Sequence, residues 1–398
     1  MALVVAAAAS GQIKPAQNSA EFELGSGLNF MFNDSAYHFR IGGMVQPYVG
    51  YVQVSGSDAD YFLNPKRTYL NFYGNAAKEK VSFFFQLNFS EMNPLLDAWV
   101  AFHPVEGLNI TLGQKQTIAN NREMLMMEDR LTFADRSMLS TAYSRSGREF
   151  GLFVDHTFAF DEVVVVPQVA VTSGDGRNSF GANSADVDFG GVKYAGRLDV
   201  YPMGMFAPGN NGQVADLAHE DRIKAVIGGA ASYNTGATDA VGEGHGDFFL
   251  FNEDGARSLA DYRQLYADVL IKYNGFSFLG EYVVATATEV DGLFASEDGI
   301  NPLVPTQIGQ FLSLGTGYNL QAGYVTRSGY GLDGRIFGVS PEFEQYSESL
   351  IGQNSGWSMG FSRYFKGQAA KVSLAYSSFD DPSGNSVGLG EVLFQVIF

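Results

Sequence analysis

The chain has 398 residues but no cysteine, only two tryptophans and five histidines. Without cysteine there is no disulfide scaffold, no thiolate metal site and no cysteine nucleophile. The histidines, at 38, 103, 156, 219 and 245, are scattered without metal-ligand spacing, and neither a G-x-S-x-G nor a phosphate-loop pattern occurs. The glycine-rich stretch Gly242 to Gly246 reads as a flexible loop. The sequence is therefore read as that of a non-enzyme with no cofactor and no bound metal. Basic residues are scarce too: 25 Lys and Arg stand against 43 Asp and Glu, a formal net charge of -18. Neutralising phosphates needs a basic footprint, so nucleic acid is excluded as a partner.

Long apolar runs are also missing. The longest, Ala2 to Ala9, is too short to span a bilayer as a helix. Followed by Ser10, Gly11 and Gln12, it reads as the apolar region and small-residue cleavage site of a secretory signal peptide whose basic leader is absent. The expected organisation is a signal-peptide remnant over 1–11, an N-terminal lead-in over 12–36 and a β-barrel over 37–398.

What is abundant is glycine, 47 residues, and aromatics, with 33 Phe and 20 Tyr. From residue 37 onward apolar and polar residues alternate with period two, the signature of strands with one dry and one wet face. Val81, Phe83, Phe85, Leu87 and Phe89 fall on one face, with Ser82, Phe84, Gln86 and Asn88 on the other. Leu96, Ala98, Val100 and Phe102 likewise oppose Asp97, Trp99 and His103. About sixteen such segments can be marked.

Their connections alternate in length. Pro104–Gly107, Asn274-Gly275, Ser328-Gly329 and Lys366-Gly367 are short, whereas 116–147, 235–259, 288–314 and 339–355 are long. The stretch 204–221 breaks this rule, because its place in the alternation calls for a short turn. One-sided long loops are the topology of a transmembrane antiparallel β-barrel, which closes because lipid leaves no partner for an unpaired backbone edge. At about sixteen strands the interior is too wide for side chains to fill and holds water. The last strand carries Val392, Phe394, Val396 and Phe398. Its final Phe resembles the signal by which outer-membrane barrels are recognised for insertion.

Several motifs in order, Asp97-Ala98-Trp99-Val100, Gly113-Gln114-Lys115, Gly196-Arg197-Leu198, Tyr201-Pro202-Met203-Gly204, Gln321-Ala322-Gly323-Tyr324 and Gly334-Arg335, give the chain a resemblance to the phosphate-selective porins O and P. That resemblance implies a homotrimeric outer-membrane porin, surrounded by lipid and lipopolysaccharide, passing small anionic solutes. It also implies that the loop after the fifth strand folds into the barrel, making Arg122, Arg130 and Arg136 the expected constriction residues. By the same analogy Arg40, Arg67, Asp97 and Lys115 lie near the narrowest level.

Strand parity places Arg40, Arg67, Lys115, Lys193, Arg197, Lys224, Lys272, Arg335 and Lys371 inside, nearly balanced by inward acids such as Asp97, Asp199 and Asp268. The channel-lining set therefore adds Lys193, Arg197 and Arg335 to the constriction candidates. Inward cations lower the barrier to anions, although Arg197 with Asp199 and Asp333 with Arg335 are also spaced to neutralise each other on one strand face. Neutralising Arg67 together with Arg136 is expected to reduce anion preference without harming the fold. The excess acid falls in loops, and an acidic mouth leaves open a general or cation-preferring porin. A barrel acting as a structural partner in an outer-membrane complex is the remaining alternative.

Overall fold

The computed structural model describes residues 18–33, 36–144, 146–179, 191–237, 239–241, 248–288, 291–304, 307, 311–340, 354–380 and 384–398. The expected signal remnant, the Gly242 to Gly246 stretch and Arg145 lie outside them. The lead-in carries a hairpin, β1 (Ser19–Glu23) and β2 (Gly27–Phe32), whose second arm pairs with β3. The wall begins with β3 (Tyr37–Val54), β4 (Asp60–Ala76), β5 (Val81–Asn88), β6 (Leu95–Phe102), β7 (Leu108–Gln116) and β8 (Arg148–His156). After the short β9 (Phe158–Phe160) it continues with β10 (Val163–Thr172), β11 (Lys193–Tyr201), β12 (Lys224–Ala237), β13 (Ala260–Tyr273) and β14 (Phe276–Thr288). It ends with β15 (Gly315–Val325), β16 (Tyr330–Ser340), β17 (Asn354–Tyr364), β18 (Ala370–Asp380) and β19 (Ser386–Ile397).

Each wall strand pairs antiparallel with the next, β8 pairs with β10, and β19 returns to β3. Nineteen strands less β1, β2 and β9 leave sixteen in a closed ring. No wall edge is left unpaired, as a strand wall in hydrocarbon requires. Leu265, Leu320, Ile336, Trp357, Phe394 and Val396 are exposed on the outer face. Inward positions are polar or charged and buried, among them Gln46, Gln86, Asp199, Asp268, Arg335 and Lys371.

Parity fails where the register slips. A bulge between Gln46 and Pro47 leaves Lys66 unpaired beside Arg67, and a second between Gln86 and Leu87 skips Leu96. Such a bulge re-aims the side chain next to it. Leu96, expected on the outer face with Val100 and Phe102, is instead only 2% exposed and packs with Met44, Tyr69 and Ile397.

Two connections turn into the barrel. The long one, 117–147, holds a helical turn α1 (Arg122–Leu125) and a short helix α2 (Met138–Tyr143). Ser137 starts α2, its hydroxyl accepting from Ser140 N at 3.4 Å, which satisfies one of the helix's open donors. Leu139 and Tyr143 of this helix are buried with Tyr262, Tyr266, Val283 and Val339 of the β13 to β16 wall.

Candidate channel constriction

The connection 117–147 is tied to the wall nearly all the way round. On the side of β11 and β13, Arg122 donates to Asp199 Oδ1 and Asp268 Oδ1, each at 2.5 Å. Arg197 reaches the same two carboxylates at 3.0 and 2.6 Å, so two arginines and two aspartates form a neutral, buried quartet. Glu281 accepts from Asn121 Nδ2 at 3.0 Å and from Glu123 N at 2.7 Å.

Further along, inward side chains capture the connection's carbonyls. Gln395 donates to Asp129 O at 2.9 Å, Lys371 to Leu131 O at 2.6 Å, Arg67 to Ala134 O at 2.9 Å and Arg335 to Asp135 O at 3.1 Å. A chain crossing a lumen without regular structure must find partners for its backbone acceptors, and strand side chains supply them here. Arg148 closes the circuit, its Nε at 2.9 Å from Asp97 Oδ2 and its Nη1 at 2.9 Å from Glu128 Oε1. Removing one member of such a buried pair strands the other charge, which costs about 3–5 kcal/mol in a fully dry site.

Three cavities follow the inward positions of β4. The first, of about 320 Å³, is lined by Arg67, Tyr69, Arg136, Arg148 and Arg177 with Glu91, Glu128 and Asp135. The second, about 210 Å³, takes over at Asn71 and Tyr73 with Arg40, Arg130 and Asp129. The third, about 370 Å³, shares Tyr73 and continues through Asn75, Ser82 and His103 to Glu79 and Glu106 at the short-turn end. Arginines exceed carboxylates four to three in the first and two to one in the second. The track therefore passes a cationic middle before an acidic end.

The expected site residues divide into open and engaged cations. Arg40 rests over the Tyr73 ring at 5.0 Å, and Lys115 lies near Trp99 and Phe153 at 5.9 and 5.3 Å; neither has an ion-pair partner within 4.0 Å among the described residues. Arg67 bonds neutral oxygens, with Asp135 3.8 Å away, and Arg130 faces Asp129 at 3.3 Å. Arg122, on the opposite wall, and Arg197 are consumed by the quartet, and Lys193 by Glu149 at 2.7 Å. Arg136 holds Glu128 at 3.1 Å as well as two loop carbonyls, of Glu123 and Met126. Arg335 lies over Phe133 at 4.4 Å. Of the two same-strand pairs read from spacing, Arg197 with Asp199 forms and Asp333 with Arg335 does not: Arg335 reaches Glu123 at 3.5 Å, while both Asp333 oxygens are buried without a hydrogen-bond partner.

The engaged groups shift accordingly. Burial alone would push the Glu128 carboxyl up, but Arg148 and Arg136 overcome it and hold that carboxyl well below the usual carboxylate range. Asp129 moves the other way: burial raises it, and Arg130 only partly offsets the effect.

Sequence reasoning missed three groups. Lys66 follows Pro65 and should face out by parity, yet the bulge brings it inside, 2.5 Å from Asp135. Arg148 stands next to inward Glu149 at a strand start where both are buried, so alternation gave no clue. Arg177, from the loop after β10, meets Glu91 at 2.6 Å, a contact between separate loops that periodicity does not encode.

A closed sixteen-stranded antiparallel wall, apolar outside, polar inside and narrowed by an inward connection, is the architecture of outer-membrane channel barrels. Solved structures agree on that fold. An anion-selective porin from Comamonas acidovorans superposes with a TM-score of 0.55 at 12% identity, covering 91% of this chain and 100% of that one. OmpT, an outer membrane protein of Vibrio cholerae, in its trimer form gives 0.52 at 9% identity, covering 91% and 100%. The outer membrane channel DcaP of Acinetobacter baumannii gives 0.51 at 10% identity, covering 92% and 98%. No family model and no curated protein matches the sequence.

Proposed function

We propose that the chain is an outer-membrane porin, a water-filled channel for passive diffusion that prefers small anions, phosphate among them. The observation that carries this reading is the run of arginines, Arg67 and Arg40 with no carboxylate closer than 3.8 Å among the described residues and Arg130 paired with Asp129 at 3.3 Å, facing two successive cavities along β4. Positive groups lining a narrow passage lower the barrier to anions, and the planar fork of arginine suits phosphate and carboxylate oxygens. The anion-selective porin of like fold and the resemblance to phosphate-selective porins support the same assignment. The outer apolar face meets lipid and lipopolysaccharide, and the trimer form of a structural neighbour supports a homotrimer.

Glu79 and Glu106 at the far end of the track favour a second reading, a general or cation-preferring porin. The reversal potential of the purified protein in a planar bilayer across a potassium chloride gradient separates the two. An anion-selective sign supports the proposal, and a cation-selective sign replaces it with the alternative. A barrel that inserts but carries no current is a structural partner instead.

A further inference from the structure

The second inward connection, 202–223, joins β11 to β12 at the short-turn end, where alternation calls for a tight turn. It lies inside the ring. The Lys272 ammonium of β13, fully buried, donates to Asn210 O and, at 3.2 Å, to Ala215 O. Asp216 Oδ2 accepts from Gly275 N at 2.8 Å, and Glu220 O accepts from Asn274 N at 2.9 Å, clamping the segment to the turn between β13 and β14. Phe206 and Val214 share an apolar cluster with Val226, Leu270 and Leu279 of the inner wall and with Met126 of the constriction connection. Gln368 donates to Gln213 Oε1 at 3.0 Å and to Arg130 O at 3.4 Å, linking the two inward segments a second time.

The wall residues supply the reason. Val226, Leu270 and Leu279 point into a lumen that should be wet, yet each is 0% exposed. Apolar groups on the water side of a barrel need a cover, and this segment is that cover.

We infer that 202–223 is a second constriction element, a counterpart from the short-turn end of the connection 117–147, which fills the β12 to β18 side of the lower lumen and confines solutes to the β4 track and to a cavity of about 290 Å³ that Gly212 lines with Arg122, Gln168 and Asp199. It thereby sets the size limit, and it keeps the Lys272 and Lys224 ammonium groups, both bound to its carbonyls, away from the water path. This rests on the channel reading above.

The test replaces 205–221 with a short glycine-serine turn and compares single-channel conductance and uptake of neutral sugars of graded size with the unaltered protein. Conductance should rise by roughly 1.5-fold or more as the open section grows. Larger sugars should enter, and anion preference should increase as the two ammonium groups meet water. If the unaltered protein conducts and the shortened one conducts equally, this inference falls while the channel reading stands; if the unaltered protein carries no current, the channel reading itself falls. A gentler variant covers a failure to fold. Gly212 is exposed with open space around its Cα, and the chain has no other cysteine, so Gly212→Cys supplies one reactive thiol. Modification by a sulfonatoethyl thiosulfonate should lower the current stepwise, and a thiol that reacts fully without altering the current overturns the inference.

Discussion

Arg148 grips Glu128 with two parallel hydrogen bonds, Nη1 to Oε1 at 2.9 Å and Nη2 to Oε2 at 3.2 Å, while its Nε holds Asp97 at 2.9 Å. One guanidinium from the strand after the inward connection thus fixes both that connection and the wall facing it. A forked donor suits two carboxylates in a way a lysine cannot match.

Arg148→Met should therefore loosen the connection around Glu128 and leave the barrel closed. Asp97 loses its ion-pair partner while Glu128 keeps only Arg136, a local cost of about 3–5 kcal/mol before lumen water relieves it. Single-channel records should show larger, noisier currents, and the variant should remain a folded β-protein by circular dichroism. Quiet records at the unaltered conductance would show that the contact does not hold the connection in place.

Selectivity should respond to the open cations rather than the engaged ones. The double variant Arg40→Gln with Arg67→Gln removes one charge with no ion pair among the described residues and one whose carboxylate, Asp135, stands 3.8 Å away, at the loss of a single loop-carbonyl bond to Ala134, and lumen substitutions tune selectivity more than stability. At about 4 Å in water-like surroundings one charge is worth about 1 kcal/mol, favourable to the anion and unfavourable to the cation, so the anion-to-cation permeability ratio should fall by up to roughly thirtyfold for each charge that faces the path. Pairing Arg67 with Arg136 is a poorer choice, because Arg136 supports two loop carbonyls and its loss would disturb the fold of the connection.

Acid should act on the constriction in two stages. The raised carboxyl of Asp129 takes up its proton above the ordinary aspartate value near 3.9, which removes a negative charge beside Arg130 and should increase anion preference. Glu128 is depressed, so its stabilising contribution is fully present above the ordinary glutamate value near 4.3 and is lost only as pH falls through its lower folded value. Reversal potentials recorded from neutral down to about pH 3 should thus shift before any change in conductance noise. Noise that rises first would contradict this order.

Placement in a bilayer can be checked on the outer face. Leu265 lies midway along β13 and is 57% exposed. Leu265→Arg should destabilise the folded barrel in lipid by about 2–4 kcal/mol if that level meets the bilayer midplane, measured by denaturant titration in vesicles. A neutral result would place this position outside the hydrocarbon.

The wall was legible because its physics repeats. Alternation such as Ser82, Gln86 and Asn88 against Phe83, Phe85 and Leu87 recurs along most of the wall, and closure follows from hydrogen bonding alone. The constriction was only partly legible. Arg40 and Arg67 could be placed inside by parity, and spacing on β11 gave the Arg197–Asp199 pair, but the rest of the quartet, Asp268 from β13 and Arg122 from the inward connection, lies beyond what one strand's pattern encodes. Bulges hid Lys66 and misplaced Leu96, as one slipped residue reverses the facing of its neighbours. The odd length of 204–221 was visible, but its meaning lay in the inward apolar positions Val226, Leu270 and Leu279, which alternation alone treats as wall residues.

The seam between β19 and β3 sets the timing of assembly. Val387 pairs with Val54 and Ile397 with Met44, so the ring is sealed by segments from opposite ends of the sequence. Bringing such distant stretches together costs loop-closure entropy that no neighbouring hairpin can recover, and contacts of this separation form slowly. Until the final strand has been made and delivered, the growing sheet keeps two live edges. Before that seam forms the ring is unsealed and aggregation-prone, and the barrel becomes a self-contained object only when β19 docks on β3.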